Sequence, residues 1–222
     1  MPDISTINGI DITTLASFGG VAFADGQTLD GQNVALAPSD THTFISSQTA
    51  SSSSSLSFTS GIDSTYDVYE FHFINMHPAT NNVLFEFQVN AVGQTGFNET
   101  ITSTFFRAYH LENGGSAGLG YRTSYDQAQG TGYQELTESL AGSTGFDDSS
   151  ASGVLTLYAP SSTTYAKHFT SRVNWMAASP VTVDTFVAGY INTTSAIDEI
   201  DFKMSSGNID AGEIKMYGIA KA

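Results

Sequence analysis

Cysteine is absent from the 222 residues, which excludes disulfide staples, zinc–thiolate sites and thiol nucleophiles together. Charge is scarce as well: Asp, Glu, Lys and Arg are 13% of the chain, against about 25% in an ordinary soluble domain. Basic side chains are the rarest of these, 7 against 22 acids, for a formal charge of −15. No Lys or Arg precedes Arg107, so the first 106 residues carry ten acids and no base. That balance repels nucleic acid and anionic membranes, and neither is expected as a partner. No window approaches the ~20 apolar residues of a membrane-spanning helix, so no membrane insertion is expected. The opening MPDISTINGIDITTLASFGG has neither the basic start nor the apolar run of a signal peptide, and the chain is expected to be made as a soluble cytoplasmic protein.

What fills the sequence instead is aromatic and small polar residues, with 15 Phe, 10 Tyr and 21 Gly. Aromatic rings favour half-buried pleated surfaces. Residues 1–45 are punctuated by Asn8-Gly9, Gly19-Gly20, Asp25-Gly26 and Asp30-Gly31, each a turn signal, which leaves room only for strands of a few residues. This stretch reads as an amino-terminal arm that orders against another subunit or protein, or as small hairpins packed on the main domain. Residues 46–55, SSQTASSSSS, read as a Ser-rich linker or surface loop.

Beyond it, over 56–222, apolar and polar residues alternate again and again. In 68–76, Tyr69, Phe71 and Phe73 share one face while Glu70 and His72 share the other. The same pattern predicts strands over 56–59, 83–90, 101–110, 153–158, 165–176, 181–191, 197–204 and 213–220. No segment keeps a 3.6-residue period over three turns. The fold class is therefore all-β, an antiparallel, jelly-roll-like β-sandwich of about eight core strands with a short amino-terminal arm. Trp175, in phase with Tyr165, Phe169 and Val173, is expected in its core.

The longest gap between expected strands, 111–152, is rich in Gly, Ser and Tyr. Tyr on a background of small residues is how adaptable binding loops are built, and Tyr121, Tyr125 and Tyr133 are the candidate ligand contacts. The competing reading places a further strand or a helical turn around 133–140, covering the sandwich.

There is no G-x-S-x-G elbow, phosphate loop, H-E-x-x-H or dinucleotide fingerprint. His72 and His77 are five apart, on opposite faces of a continuing strand, whereas zinc ligands from one strand should be two apart. Asp147-Asp148 and the trio Asp198, Glu199 and Asp201 lack EF-hand spacing and read as solvated turn carboxylates. Glu70 and Glu86 sit on neighbouring expected strands, where a glycosidase pair is conceivable, but two solvent-facing residues is the simpler reading. No catalytic residue, metal site or cofactor is expected.

The runs SGIDSTYDVYEFHFINMHPATNN, YAPSSTTYAKHFTSRVN and DTFVAGYINTTSAIDEIDFKMSSGNIDAGEIKMYGIA, with the opening INGIDITTLASF, resemble virion proteins of tailed bacteriophages, especially marine ones. Its most specific element is Ser206-Gly207-Asn208-Ile209 followed by Gly212-Glu213-Ile214-Lys215-Met216-Tyr217-Gly218, similar to the ending of many phage fibre and appendage tips. The resemblance implies a virion structural protein whose jelly-roll module trimerises or attaches to the particle, and it implies no catalytic residue. The expected partners are other copies of the chain, as a homotrimer, other virion proteins through the arm, and a host-surface glycan. A tail fibre or appendage is the first expectation; a capsid decoration or head-fibre protein fits the same order of segments, and a carbohydrate-binding, lectin-like module is a further alternative.

Overall fold

A computed structural model describes residues 42–142, 148–178 and 180–219, together with the backbone pairing of six two-residue strands earlier in the chain. The chain divides into two compact units, Met1–Thr41 and His42–Ala222.

The first unit holds three minimal hairpins. β1 (Thr6–Ile7) pairs with β2 (Ile10–Asp11), β3 (Ser17–Phe18) with β4 (Val21–Ala22), and β5 (Thr28–Leu29) with β6 (Gln32–Asn33), all antiparallel. Between the paired strands stand Asn-Gly, Gly-Gly and Asp-Gly, the dipeptides that tight hairpin turns favour. The hairpins begin at Thr6, Ser17 and Thr28, a period of eleven residues. The turn expected at Asp25-Gly26 lies outside the described residues.

The second unit is an antiparallel sandwich, and no helix occurs among the described residues. Its strands in chain order are β7 (His42–Thr49), β8 (Ser55–Phe58), β9 (Val68–Pro78), β10 (Phe85–Ala91), β11 (Ile101–Leu111), β12 (Ala117–Tyr121) and β13 (Ala128–Gly130). They continue with β14 (Gln134–Glu135), β15 (Ala151–Tyr158), β16 (Lys167–Ala177), β17 (Val181–Ile191), β18 (Ile197–Met204) and β19 (Ile209–Ile219). One sheet has nine strands, in the order β12-β11-β17-β16-β15-β9-β19-β7 with β13 also on β11, and the other has four, β14-β10-β18-β8.

The alternation seen in the sequence is what packs the two sheets. Tyr69, Phe71 and Phe73 from β9, Phe105 from β11, and Phe169, Val173 and Trp175 from β16 point inward, against Phe85, Phe87 and Val89 of β10 and Ile200, Phe202 and Met204 of β18. Trp175 is 2% exposed, in the core as expected. Phe202 sits at the centre, its ring 5.3–6.3 Å from those of Phe58, Phe71, Phe73, Phe85 and Phe87. Edge-to-face pairs such as Phe73–Phe85, 5.1 Å apart at 88°, add to the apolar burial that drives the sheets together.

Several local expectations are corrected. The Ser-rich tract does not stand apart from the sandwich: Ser46–Thr49 belong to β7, hydrogen-bonded along β19, and β8 begins at Ser55. The Gly/Tyr-rich stretch 111–152 contains β12, β13 and β14, so it is not one long loop, and β14 is the further strand that the competing reading placed around 133–140. Tyr165 lies before β16 and is 74% exposed, while Lys167 occupies the buried first position of that strand, its Nζ donating to the Thr193 carbonyl at 3.2 Å.

Candidate functional site: the outer face of the large sheet

The register of the nine-stranded sheet sets its outward side chains in rows that cross the strands. One row reads Tyr121, Phe106, Phe186, Arg172, Val154, His72 and Lys215, from β12 to β19. The next reads Thr104, Ala188, Thr170, Thr156, Glu70, Tyr217 and Phe44, and a third carries Thr102, Tyr190, His168, Tyr158, Val68, Ile219 and His42. Because the side-chain period of a strand is two, every residue in these rows faces away from the core.

In the first row the Phe106 and Phe186 rings stack at 4.9 Å and 3°, and the Arg172 guanidinium lies 5.0 Å over Phe186. Arg172 is held there by Asp184, which accepts from Nε at 3.0 Å and from Nη2 at 2.7 Å. The second row is small in its first half, so a shallow cleft of about 320 Å³ opens between Phe106, Phe186, Arg172 and Val154 on one side and a floor of Ala188, Thr170 and Thr156. At the far end of the sheet, Phe44 packs edge-on to Tyr217 at 5.7 Å, and Tyr217 meets His72 at 4.9 Å. Glu70 Oε2 there lies 2.8 Å from His72 Nε2 and 3.3 Å from His42 Nε2.

This face concentrates the exposed apolar surface. Of the eight large apolar side chains exposed among the described residues, six (Phe44, Ile74, Phe106, Leu119, Tyr121 and Tyr158) belong to it; Val92 and Tyr165 do not. Two of its carboxylates meet a fixed positive charge, Asp184 at Arg172 and Glu213 at Lys215, 3.4 Å away, and Glu70 lies beside His72 and His42.

The outward face of the four-stranded sheet is the opposite in character, polar and covered. Gln88 is fully buried and donates to the carbonyls of Glu99 and Gly132. Glu86, expected to face solvent, is 8% exposed and lies 3.5 Å from Lys203 Nζ. Its carboxyl is raised by burial, which Lys203 opposes. Asp201, read as a solvated turn residue, is a buried strand residue that accepts from Ser57 Oγ at 2.5 Å and from the Tyr133 hydroxyl at 2.9 Å. Glu135 pairs in register with Glu86, and burial together with that neighbouring carboxylate pushes it up to about 7.

The three candidate tyrosines are therefore not brought together. Tyr121 is 53% exposed on the outer face, donating to Asp126. Tyr125 is half-buried, 5.4 Å from Phe105 and under Arg122. Tyr133 lies on the other sheet, beneath Lys203 at 4.0 Å and bonded to Asp201, and both burial and that bond raise its phenol. Glu70 and Glu86 stand on different sheets, so no carboxylate pair forms between them. His77 turns to the Ser149 carbonyl, 2.6 Å from Nδ1, away from His72. Among the described residues no group of three or more His, Asp or Glu is placed to hold a metal ion. Phe106 and Phe186 were missed in the sequence because their meeting depends on the pairing of strands eighty residues apart. No protein-family model, curated protein or solved structure matches this chain.

Proposed function

We propose that the protein is a non-enzymatic structural part of a tailed-bacteriophage virion, a tail fibre or appendage component that associates with its own copies, as a trimer, and makes contact at the host surface. The observation that carries the interaction role is the outer face of the large sheet, where exposed apolar side chains gather and Asp184 and Glu213 are paired with Arg172 and Lys215, in an otherwise acidic chain. Large apolar side chains left exposed together on one face of a sheet mark an interaction site. The virion setting is supported by the sequence resemblance and by the order of segments, a unit of small hairpins followed by a sandwich. Gold-labelled antibody on purified particles tests it: label at the tail tip is the expected result, label over the capsid faces makes it a decoration or head-fibre protein, and no label refutes the assignment.

A lectin-like module is the second reading. The cleft beside Phe106, Phe186 and Arg172 favours it, since apolar walls with a few hydroxyl and guanidinium donors suit a sugar ring. Saturable binding on an array of bacterial surface oligosaccharides, abolished by Ala188→Tyr in the cleft floor, would establish it.

A further inference from the structure

We infer that the outer face of the nine-stranded sheet is the surface on which a second copy of this chain packs. The inference rests on the reading of the protein as a self-associating structural part, and it names the surface that does so.

Three observations carry it. The first is charge. A chain of formal charge −15 repels its own copies everywhere except where its carboxylates are compensated. On this face Glu70, Asp184 and Glu213 each lie within 3.4 Å of a histidine, arginine or lysine. With the histidines neutral, Arg172 and Lys215 offset Asp184 and Glu213, so the face is less acidic than the chain as a whole and repels a second copy least.

The second is extent. Eight strands at ~4.8 Å spacing cover ~34 Å, and five outward rows at ~6.6 Å cover ~26 Å, so the face offers about 900 Å². A stable interface needs ~800 Å² per partner. The third is the way the apolar residues are spread. Leu119, Tyr121 and Phe106 stand on the two strands at one edge, Tyr158 near the middle, and Phe44 at the other edge, with Leu119 74% and Phe44 55% exposed. A small ligand would be served by the cleft alone. Side chains distributed from β12 to β7 fit an occupant as wide as the sheet.

The test is the solution mass of the full chain by light scattering at ~100 µM, where an interface of this size should be occupied. The wild type is expected at a multiple of 23.5 kDa. Leu119→Glu and Phe44→Glu, at side chains that lend little to the fold, should weaken association by at least ~100-fold and return the single-chain mass without lowering secondary structure. Val92→Glu, equally exposed but off this face, should leave the mass unchanged. A wild type of single-chain mass, or an oligomer that survives both substitutions, overturns the inference. So does sugar binding that Ala188→Tyr abolishes in a protein of single-chain mass.

The outcomes separate the two readings. An oligomer that dissociates as described, from a protein that labels no particle, refutes the virion role and leaves the interface standing. A monomer that labels the tail does the reverse.

Discussion

Glu135→Gln is a substitution whose effect should depend on pH in a calculable way. Glu135 lies on the two-residue edge strand β14, directly opposite Glu86 of β10. Burial and the facing carboxylate lift its pKa from 4.5 to about 7. A raised carboxyl is one whose charged form the fold disfavours, so the cost is absent below about 4.5, grows between about 4.5 and 7, and is complete above 7. A shift of that size corresponds to ~3 kcal/mol at most, and water on the exposed side of the group reduces it to ~1–2 kcal/mol. Gln keeps the shape and cannot ionise. The variant should therefore be more stable than the wild type by ~1–2 kcal/mol at pH 8, about 3–6 °C in Tm for a domain of this size, and nearly equal to it at pH 4.5. Thermal melts followed by circular dichroism at the two pH values provide the measurement. An equal difference at both, or no gain at pH 8, would refute the account of a strained carboxylate pair.

Three further outcomes concern the sandwich itself. Glu138, 4% exposed, binds both Arg107 and Arg122, so Glu138→Gln should cost ~2–3 kcal/mol in urea unfolding by leaving two guanidinium groups half-satisfied; a loss under ~0.5 kcal/mol would mean the arginines find water instead. Phe202→Ala removes the ring around which five others pack and should cost ~3–5 kcal/mol, read from the urea midpoint. At Gly189 an added Cβ would stand 2.5 Å from the Thr102 carbonyl oxygen and 2.9 Å from Ser103 Cα, so Gly189→Ala should force β11 from β17 and cost ~1–3 kcal/mol; unchanged stability would mean the two strands separate freely.

The sequence was most legible where one face of a strand is buried. Val181–Ile191 and Ile197–Met204 run between the same residues in the structure as in the alternation. It was silent at β7, because an edge strand exposed on nearly every residue needs no apolar pattern. It misled at Glu86 and Asp201, where polar residues in phase with solvent are covered by Gly132, Tyr133 and β14; that covering comes from a distant part of the chain. The candidate face was illegible for a related reason. Phe106 and Phe186 each look like an ordinary outward strand residue, and only the register of β11 against β17 makes them neighbours. The repeat of hairpins was written in the chain at Asn8-Gly9, Gly19-Gly20 and Asp30-Gly31, but Asp25-Gly26, out of phase with them, obscured the period.

That period has a consequence for how the chain can vary. Structures made of like units tolerate the loss or gain of a whole unit better than of a fraction, since each contributes its own local pairing. Eleven residues is thus the natural quantum of length ahead of the sandwich. Removing the segment from Ser17 to Gln27 would bring Thr28 to the place of Ser17 and leave β7 entering its sheet as before, whereas removing five or six would set every later hairpin out of step. The length of this part of the chain is adjustable in fixed increments of one hairpin.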